Sequence, residues 1–361
     1  MDLFSPAALG DLELSNRVTM APLTRMRADA GDVPGDLIVE HYRQRATVGM
    51  IVTEGTYPTV EGKAYTGQPG IVTDEQVAGW KRVADAVHAE GGTIVMQVMH
   101  GGRVSHTDIT GTERIVGPSA VAIDGEIHVP SGKAAYPEPH ALTTEEVRGA
   151  IQDIVTASKR AVLEAGLDGV ELHSANGYLL HEFLSPVSNV RTDEYGGSPE
   201  ARARIGVETA TAVAEAIGAA RVGMRLSPMH NIQDVVETDL ADVTATYEAL
   251  LDGVRPLGLA YVSMLHADPR GELVQHLRGR FGGPVVLNSG FGVVTDLDEA
   301  KDLVEGGHAD AVAVGRMAIA NPDLVERWST GAELNEPNPA TFYAEGATGY
   351  TDYPTLETVA R

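Results

Sequence analysis

The chain of 361 residues contains no cysteine at all. That single absence removes disulfides, thiolate zinc sites, iron–sulfur clusters and cysteine nucleophiles together. Basic residues are scarce: 27 Lys and Arg stand against 51 Asp and Glu, for a formal charge of −24. A surface so acidic repels phosphate backbones, so a nucleic-acid partner is not expected. No run of about 18 apolar residues occurs, which argues against a membrane helix. The first residues, Met1-Asp2-Leu3-Phe4-Ser5-Pro6, show neither the basic start nor the apolar stretch of a secretion signal, and the expected location is cytoplasmic. There is no HExxH zinc pattern, since His181-Glu182 lacks a second histidine, and no G-x-S-x-G elbow. Neither metal catalysis nor a serine hydrolase has support.

What is present is order. The composition is 43% hydrophobic, with the apolar residues in periodic blocks, which excludes disorder. Eight short apolar runs read as strands: Val18–Leu23, Met50–Gly55, Thr93–His100, Gly169–His173, Arg221–Leu226, Ala260–Met264, Pro284–Ser289 and Ala309–Val314. Helical patterns alternate with them at Asp74–Glu90, Thr144–Ala165, Pro199–Ile217, Leu240–Leu251, Glu272–Phe281 and Asp296–Glu305. Thr143-Thr144-Glu145-Glu146 is a capping-box start for the second of these. Nearly continuous apolar strands suit parallel strands covered on both faces. The expected fold is therefore α/β: one (β/α)8 TIM barrel over residues 1–361. A doubly wound sheet with a second domain would need a composition break or linker, and none is found.

A long insertion, 101–140, follows the third strand. Within it, Val121–Val129 alternates around Asp124-Gly125, which predicts a β-hairpin turning at that dipeptide. Leaving a carboxyl strand end, it is either a lid over the barrel mouth or a solvent-side decoration.

Chemistry in such barrels collects at the carboxyl ends of the strands. Strands seven and eight end in Ser289-Gly290-Phe291-Gly292 and Val314-Gly315-Arg316, suited to a phosphate: glycines let the backbone approach and the guanidinium binds bidentately. A rim salt bridge is the alternative role for Arg316. On strand four, His173 and Asn176 lie three apart where the strand breaks, so both can aim at one carbonyl or nitro oxygen, and Tyr178 can deliver a proton. A purely structural His–Asn pair is the competing reading. Arg225 ends strand five with no acidic residue at the end of an adjacent strand, so an electron-rich ring or carboxylate is its natural complement. Gln97 and Thr24 add neutral groups of the sort that read a heterocycle edge.

These residues resemble a known family, the old yellow enzymes, FMN-dependent ene-reductases. The similarity runs nearly end to end, from Asn16-Arg17-Val18 and Met20-Ala21-Pro22-Leu23-Thr24-Arg25, through Asp168-Gly169-Val170-Glu171-Leu172-His173-Ser174-Ala175-Asn176-Gly177-Tyr178 and Asn189-Val190-Arg191-Thr192-Asp193-Glu194-Tyr195-Gly196-Gly197, to Gly349-Tyr350-Thr351-Asp352-Tyr353-Pro354. The resemblance implies non-covalent FMN at the barrel mouth and a ping-pong reaction. NADPH, or less often NADH, would reduce the flavin. An activated alkene, an α,β-unsaturated carbonyl or nitro compound, would then take the hydride. His173 and Asn176 would hold the substrate oxygen, and Tyr178 would protonate the α-carbon. Pro22, Leu23, Thr24, Gln97, Arg225, Gly290, Gly315 and Arg316 would bind the flavin, with Tyr343 lining the substrate pocket.

Departures are Met99, where many relatives carry a Trp, implying a roomier pocket floor; Phe291 after Gly290; Ala201 before Arg202; and Leu265-His266-Ala267-Asp268 after strand six. The same scaffold also suits a nitro-compound or quinone reductase or a desaturase. A flavin-free aldolase barrel would need a lysine at a strand end, and none has one; a non-catalytic flavin binder would need no Tyr178. The expected assembly is a monomer or small homo-oligomer.

Overall fold

The computed structural model describes residues 1–359. Eight parallel strands close into a barrel in chain order: Val18–Met20, Met50–Val52, Ile94–Val98, Gly169–Ser174, Val222–Leu226, Tyr261–Leu265, Val285–Asn288 and Ala311–Val314. The eight expected strands are all there, each within a few residues of its predicted bounds, because their apolar residues face either the barrel interior or the helical shell. One buried cluster fills the space between barrel and helices, with Trp80, Val147, Ile205, Leu250 and Leu303. A second occupies the barrel interior and its amino-terminal end. There, Leu9, Leu12 and Leu14 of a small hairpin (Ala7–Leu9 and Leu12–Leu14) pack against Met50, Val95 and Val286. One end of the barrel is thus plugged, and chemistry is left to the other.

The helix over Thr144–Lys159 starts as expected: Thr143 Oγ1 accepts from the Glu146 amide at 3.2 Å, and Glu146 Oε2 accepts from the Thr143 amide at 2.8 Å. Its last turn differs from the prediction, passing into a π-helical turn over Arg160–Glu164. Glu146 also accepts from Arg114 (2.8 Å) and pairs with His140 (2.9 Å), so the cap anchors both ends of the insertion's return path.

The insertion contains a hairpin, but not with the expected turn. Glu126–Val129 pairs antiparallel with Gly132–Ala135, and the chain reverses at Pro130-Ser131. Asp124-Gly125 lies ahead of the hairpin because the Asp124 amide donates to Asp234 Oδ2 at 2.6 Å, docking the segment onto the loop after the fifth barrel strand. Ile127 and Val129 then pack with Ile109, and Tyr136 bridges that cluster to a second one containing Ile123, Met99 and Tyr178.

Removing the cap oxygen should weaken the fold without touching the barrel mouth. Thr143→Ala is expected to cost about 1 kcal/mol, read as a lower urea midpoint with unchanged slope; an unchanged midpoint would deny the cap that role.

Candidate active site

The parallel register decides which side chains share a level of the barrel. His173 pairs with Arg225, and Arg225 with Ser263, so the three lie side by side at the mouth. One layer below, Glu171 pairs with Gln97 and with Gly223. Gly223 is required there: a Cβ would stand 2.3 Å from the Tyr261 ring. The ring's hydroxyl uses that space to donate to Glu171 Oε2 at 3.0 Å, while Gln97 Nε2 donates to Glu171 Oε1 at 2.8 Å.

Arg225 is 3% exposed and donates to Ser263 Oγ at 3.2 Å; its Nε is buried without a partner. Burial lowers the guanidinium pKa, opposed by nearby Glu171. No acidic residue ends a strand adjacent to Arg225, as expected, but Glu171 lies on the adjacent strand, three residues before its last residue Ser174, where a reading of strand ends alone does not look. It does not form an ion pair with Arg225 in the structure, and burial raises its own pKa.

Beyond His173 the strand breaks into a tight loop. Asn176 (φ 56°) and Gly177 (φ 83°) both take left-handed backbone, a conformation asparagine tolerates better than most residues and glycine freely. The loop is held from outside. Its Asn176 amide donates to Ser227 Oγ (2.9 Å), Gln233 Nε2 donates to the Asn176 carbonyl (2.8 Å), and the Gly177 amide donates to His181 Nδ1 (2.9 Å). A side chain at Gly177 would collide with Gln233 Cβ at 2.8 Å. His173 Nδ1 and Asn176 Oδ1 are left buried and unbonded. Burial, with Arg225 and His181 adding to it, drives the His173 pKa well below the usual histidine value, so this imidazole is neutral. The Tyr178 ring meets His173 edge-on at 4.9 Å, and its hydroxyl lies 2.8 Å from that of Tyr65. Burial pushes the Tyr178 phenol up to about 12, against hydrogen bonds from Tyr65 and Gln233 that lower it.

Opposite this loop runs a cleft lined by Ala21, Pro22, Leu23, Arg225, Asn288, Gly290, Phe291, Gly315 and Arg316 among others. Asn288 props its floor: Nδ2 donates to the Ala313 carbonyl at 2.7 Å and Oδ1 accepts from the Gly290 amide at 3.2 Å. Gly290 is left-handed (φ 83°), which favours glycine there. Arg316 Nη2 donates to the Phe291 carbonyl at 2.6 Å, joining the two loops expected to share a phosphate.

Thus Pro22, Leu23, Arg225, Gly290, Gly315 and Arg316 meet in one cleft, and His173, paired in register with Arg225, ends the strand that leads into the loop carrying Asn176 and Tyr178. Thr24 is half-buried just beyond Leu23. Met99 is buried against Tyr178 and Ala64, with Gly55 beneath it. Tyr343 is 67% exposed, the loosest of the expected residues, although it is close enough to Tyr178 to influence its phenol. Sequence reasoning missed Glu171, Asn288, Tyr65 and Gln233. Glu171 lies three residues before the end of its strand, and Asn288 is the last residue of its own. The other two are in loops without regular periodicity. No cluster of His, Asp or Glu suited to a metal ion occurs among the described residues.

Comparisons with known proteins identify the family and the fold. Residues 2–335 match the model of the NADH:flavin oxidoreductase / NADH oxidase family. The chain belongs to the old yellow enzyme family. A Leishmania infantum protein named "probable flavin mononucleotide-dependent alkene reductase" is 41% identical, over 98% of this chain and 97% of its own. Rice (Oryza sativa subsp. japonica) 12-oxophytodienoate reductase 1 is 38% identical over 99% and 94%. Among solved structures, morphinone reductase superposes with a TM-score of 0.92 at 40% identity, covering all of this chain and 98% of that one. The old yellow enzyme homologue from Zymomonas mobilis gives 0.92 at 36%, covering 99% and 100%.

The residues fit the FMN on which this family depends. A buried guanidinium with an unbonded Nε faces a cleft whose far wall offers glycine backbone and a second arginine. Arg225→Gln should therefore weaken FMN retention by about 10- to 100-fold, the worth of one hydrogen bond to a charged group. Equilibrium dialysis with flavin fluorescence measures it; unchanged retention would mean Arg225 does not face the flavin.

Proposed function

We propose that the protein is an FMN-dependent reductase of activated alkenes, working through two successive half-reactions at one site with NADPH as reductant. The observation that carries this reading is the loop 173–178. Neither the His173 imidazole nor the Asn176 side-chain amide has a hydrogen bond among the described residues, so an imidazole N–H and the amide Nδ2 are free to donate, beside a phenol whose ring packs on the same imidazole. That is an arrangement for gripping one oxygen and delivering one proton next to it.

When bound, FMN reduced by a nicotinamide supplies a hydride for the alkene β-carbon. Arg225 and Gln97 would hold its ring, with Glu171 fixing the direction of the Gln97 amide. Gly290, Gly315 and Arg316 would hold its phosphate, and Thr24 would contact the ring beside Pro22 and Leu23. His173 and Asn176 then bind the carbonyl or nitro oxygen. A neutral imidazole suits this role, because it donates to a developing enolate without bringing a second cation next to Arg225. The clamp is preorganised by Ser227, Gln233 and His181, so it need not reorganise as charge develops. The Tyr178 hydroxyl protonates the α-carbon, and burial keeps it a phenol at neutral pH. Met99 and Tyr343 border the substrate, and the insertion, docked through Asp124 and Ile123, forms a lid on the Tyr178 side.

A stopped-flow experiment separates the steps. Tyr178→Phe is expected to slow reoxidation of the reduced enzyme by 2-cyclohexenone by about 100-fold or more, with flavin reduction by NADPH much less affected. Equal loss in both half-reactions, or no loss in either, would reject Tyr178 as the acid.

A further inference from the structure

The reading of Tyr178 as the acid leaves a problem that the geometry beside it answers. A phenol pushed up to about 12 is a weak acid toward an enolate carbon, and the phenolate it becomes has little water around it, since Tyr178 is 7% exposed. Some group has to support that negative oxygen.

Among the described residues the hydroxyl in contact is that of Tyr65, 2.8 Å away, its ring edge-on to that of Tyr178 at 6.5 Å and 89°. Tyr65 lies outside the catalytic loop, after the second barrel strand, on a segment that is itself braced. Gln68 is fully buried and accepts from the Ala64 amide (2.8 Å) and the Tyr65 amide (3.2 Å), while its Nε2 donates to the Gly55 carbonyl just beyond that strand (2.8 Å). Three hydrogen bonds from one buried amide thus fix where the Tyr65 ring starts.

We propose that Tyr65 is the positioning residue that makes Tyr178 an effective acid, by donating its hydroxyl hydrogen to the Tyr178 oxygen. This inference rests on the assignment of Tyr178 under the proposed function. The direction follows from chemistry: a phenol that gives its own proton to carbon must point that proton at the substrate, leaving its oxygen lone pairs to accept. Tyr65 then does two things. It orients the Tyr178 O–H bond, and it stabilises the phenolate left behind. The step balances: hydride adds to the β-carbon, the C=C π pair becomes the enolate, and the enolate α-carbon takes the Tyr178 proton. The phenolate recovers a proton from water once product has left, so each turnover consumes one hydride and one solvent proton. The electrostatics run the same way, since the Tyr65 contact lowers the Tyr178 pKa while the Tyr178 contact raises that of Tyr65. The other titratable neighbours, Tyr136 and Tyr343, act on both phenols in the raising direction and cannot replace this donor.

The test compares two acceptors on the same prereduced holoenzyme. 2-Cyclohexenone needs a proton placed on carbon, whereas the quinone menadione takes its protons on oxygen, where water suffices. In Tyr65→Phe the ratio of enone to quinone rates should fall about tenfold, as expected for losing a hydrogen bond to a charge-bearing oxygen. In Tyr65→Phe/Tyr178→Phe the ratio should fall no further than in Tyr178→Phe alone. A ratio unchanged in Tyr65→Phe, including one where both rates fall together, overturns the role of Tyr65. A ratio unchanged in Tyr178→Phe overturns the acid assignment itself, and this inference with it. A second readout is independent of turnover. With 13Cζ-labelled tyrosine, the Tyr178 resonance should move in Tyr65→Phe; a resonance that stays in place means that no hydrogen bond joins the two hydroxyls.

Discussion

A buried arginine without a full set of partners is the constraint around which this barrel mouth is arranged. Arg225 donates to Ser263 yet leaves Nε unbonded at 3% exposure, a costly arrangement unless a ligand completes it. Its field is felt on both sides. It helps keep His173 neutral, and it opposes the burial that would otherwise neutralise Glu171. Glu171 in turn collects the Gln97 amide and the Tyr261 hydroxyl, and Tyr261 fits only because residue 223 has no side chain. Below the cleft, then, lies a closed polar layer with one cation facing upward. In the proposed function, a flat heterocycle able to carry negative charge would answer that cation, and a scaffold this acidic could accommodate an anionic cofactor in this way.

The loop after the fourth barrel strand illustrates the same economy. Left-handed backbone at Asn176 is unfavourable by itself and persists because Ser227 and Gln233 bond to Asn176 from the loop after the fifth strand, while His181, in the short helix that follows, accepts from the Gly177 amide. His181 is held in turn by Glu237 and Tyr247, all three buried. The His173 imidazole and the Tyr178 ring flank this loop and meet edge-on at 4.9 Å. The loop is therefore held by the protein's own hydrogen bonds, and in the proposed role a clamp fixed in this way would not have to reorganise around a transient enolate.

Much of this was readable in the chain. Barrel strands carry side chains toward a common interior, so reading only their carboxyl ends led directly to His173, Arg225, Gly290 and Gly315. The capping box at Thr143 was local and therefore legible. Misreadings arose wherever a distant partner decided the outcome. Asp124-Gly125 is a good turn in isolation, but Asp234, 110 residues away, claims its amide and the hairpin turns later. Glu171 looked like one more residue of an apolar strand until the register set it beside Gln97. Tyr65 gave no periodic signal, because a loop braced by one glutamine obeys hydrogen-bond geometry rather than hydropathy. The final turn of the Thr144–Lys159 helix becoming a π turn has no sequence cause that we can name.

The central claim, one cleft that holds FMN and turns over an activated alkene, is tested in a single cuvette. The purified protein, loaded with FMN, is mixed with NADPH without oxygen and then with 2-cyclohexenone while the visible spectrum is followed. The account predicts a yellow protein that bleaches with NADPH and regains its colour with the enone. A colourless protein that FMN cannot reconstitute, or one that bleaches and is never recoloured by the enone, would contradict it.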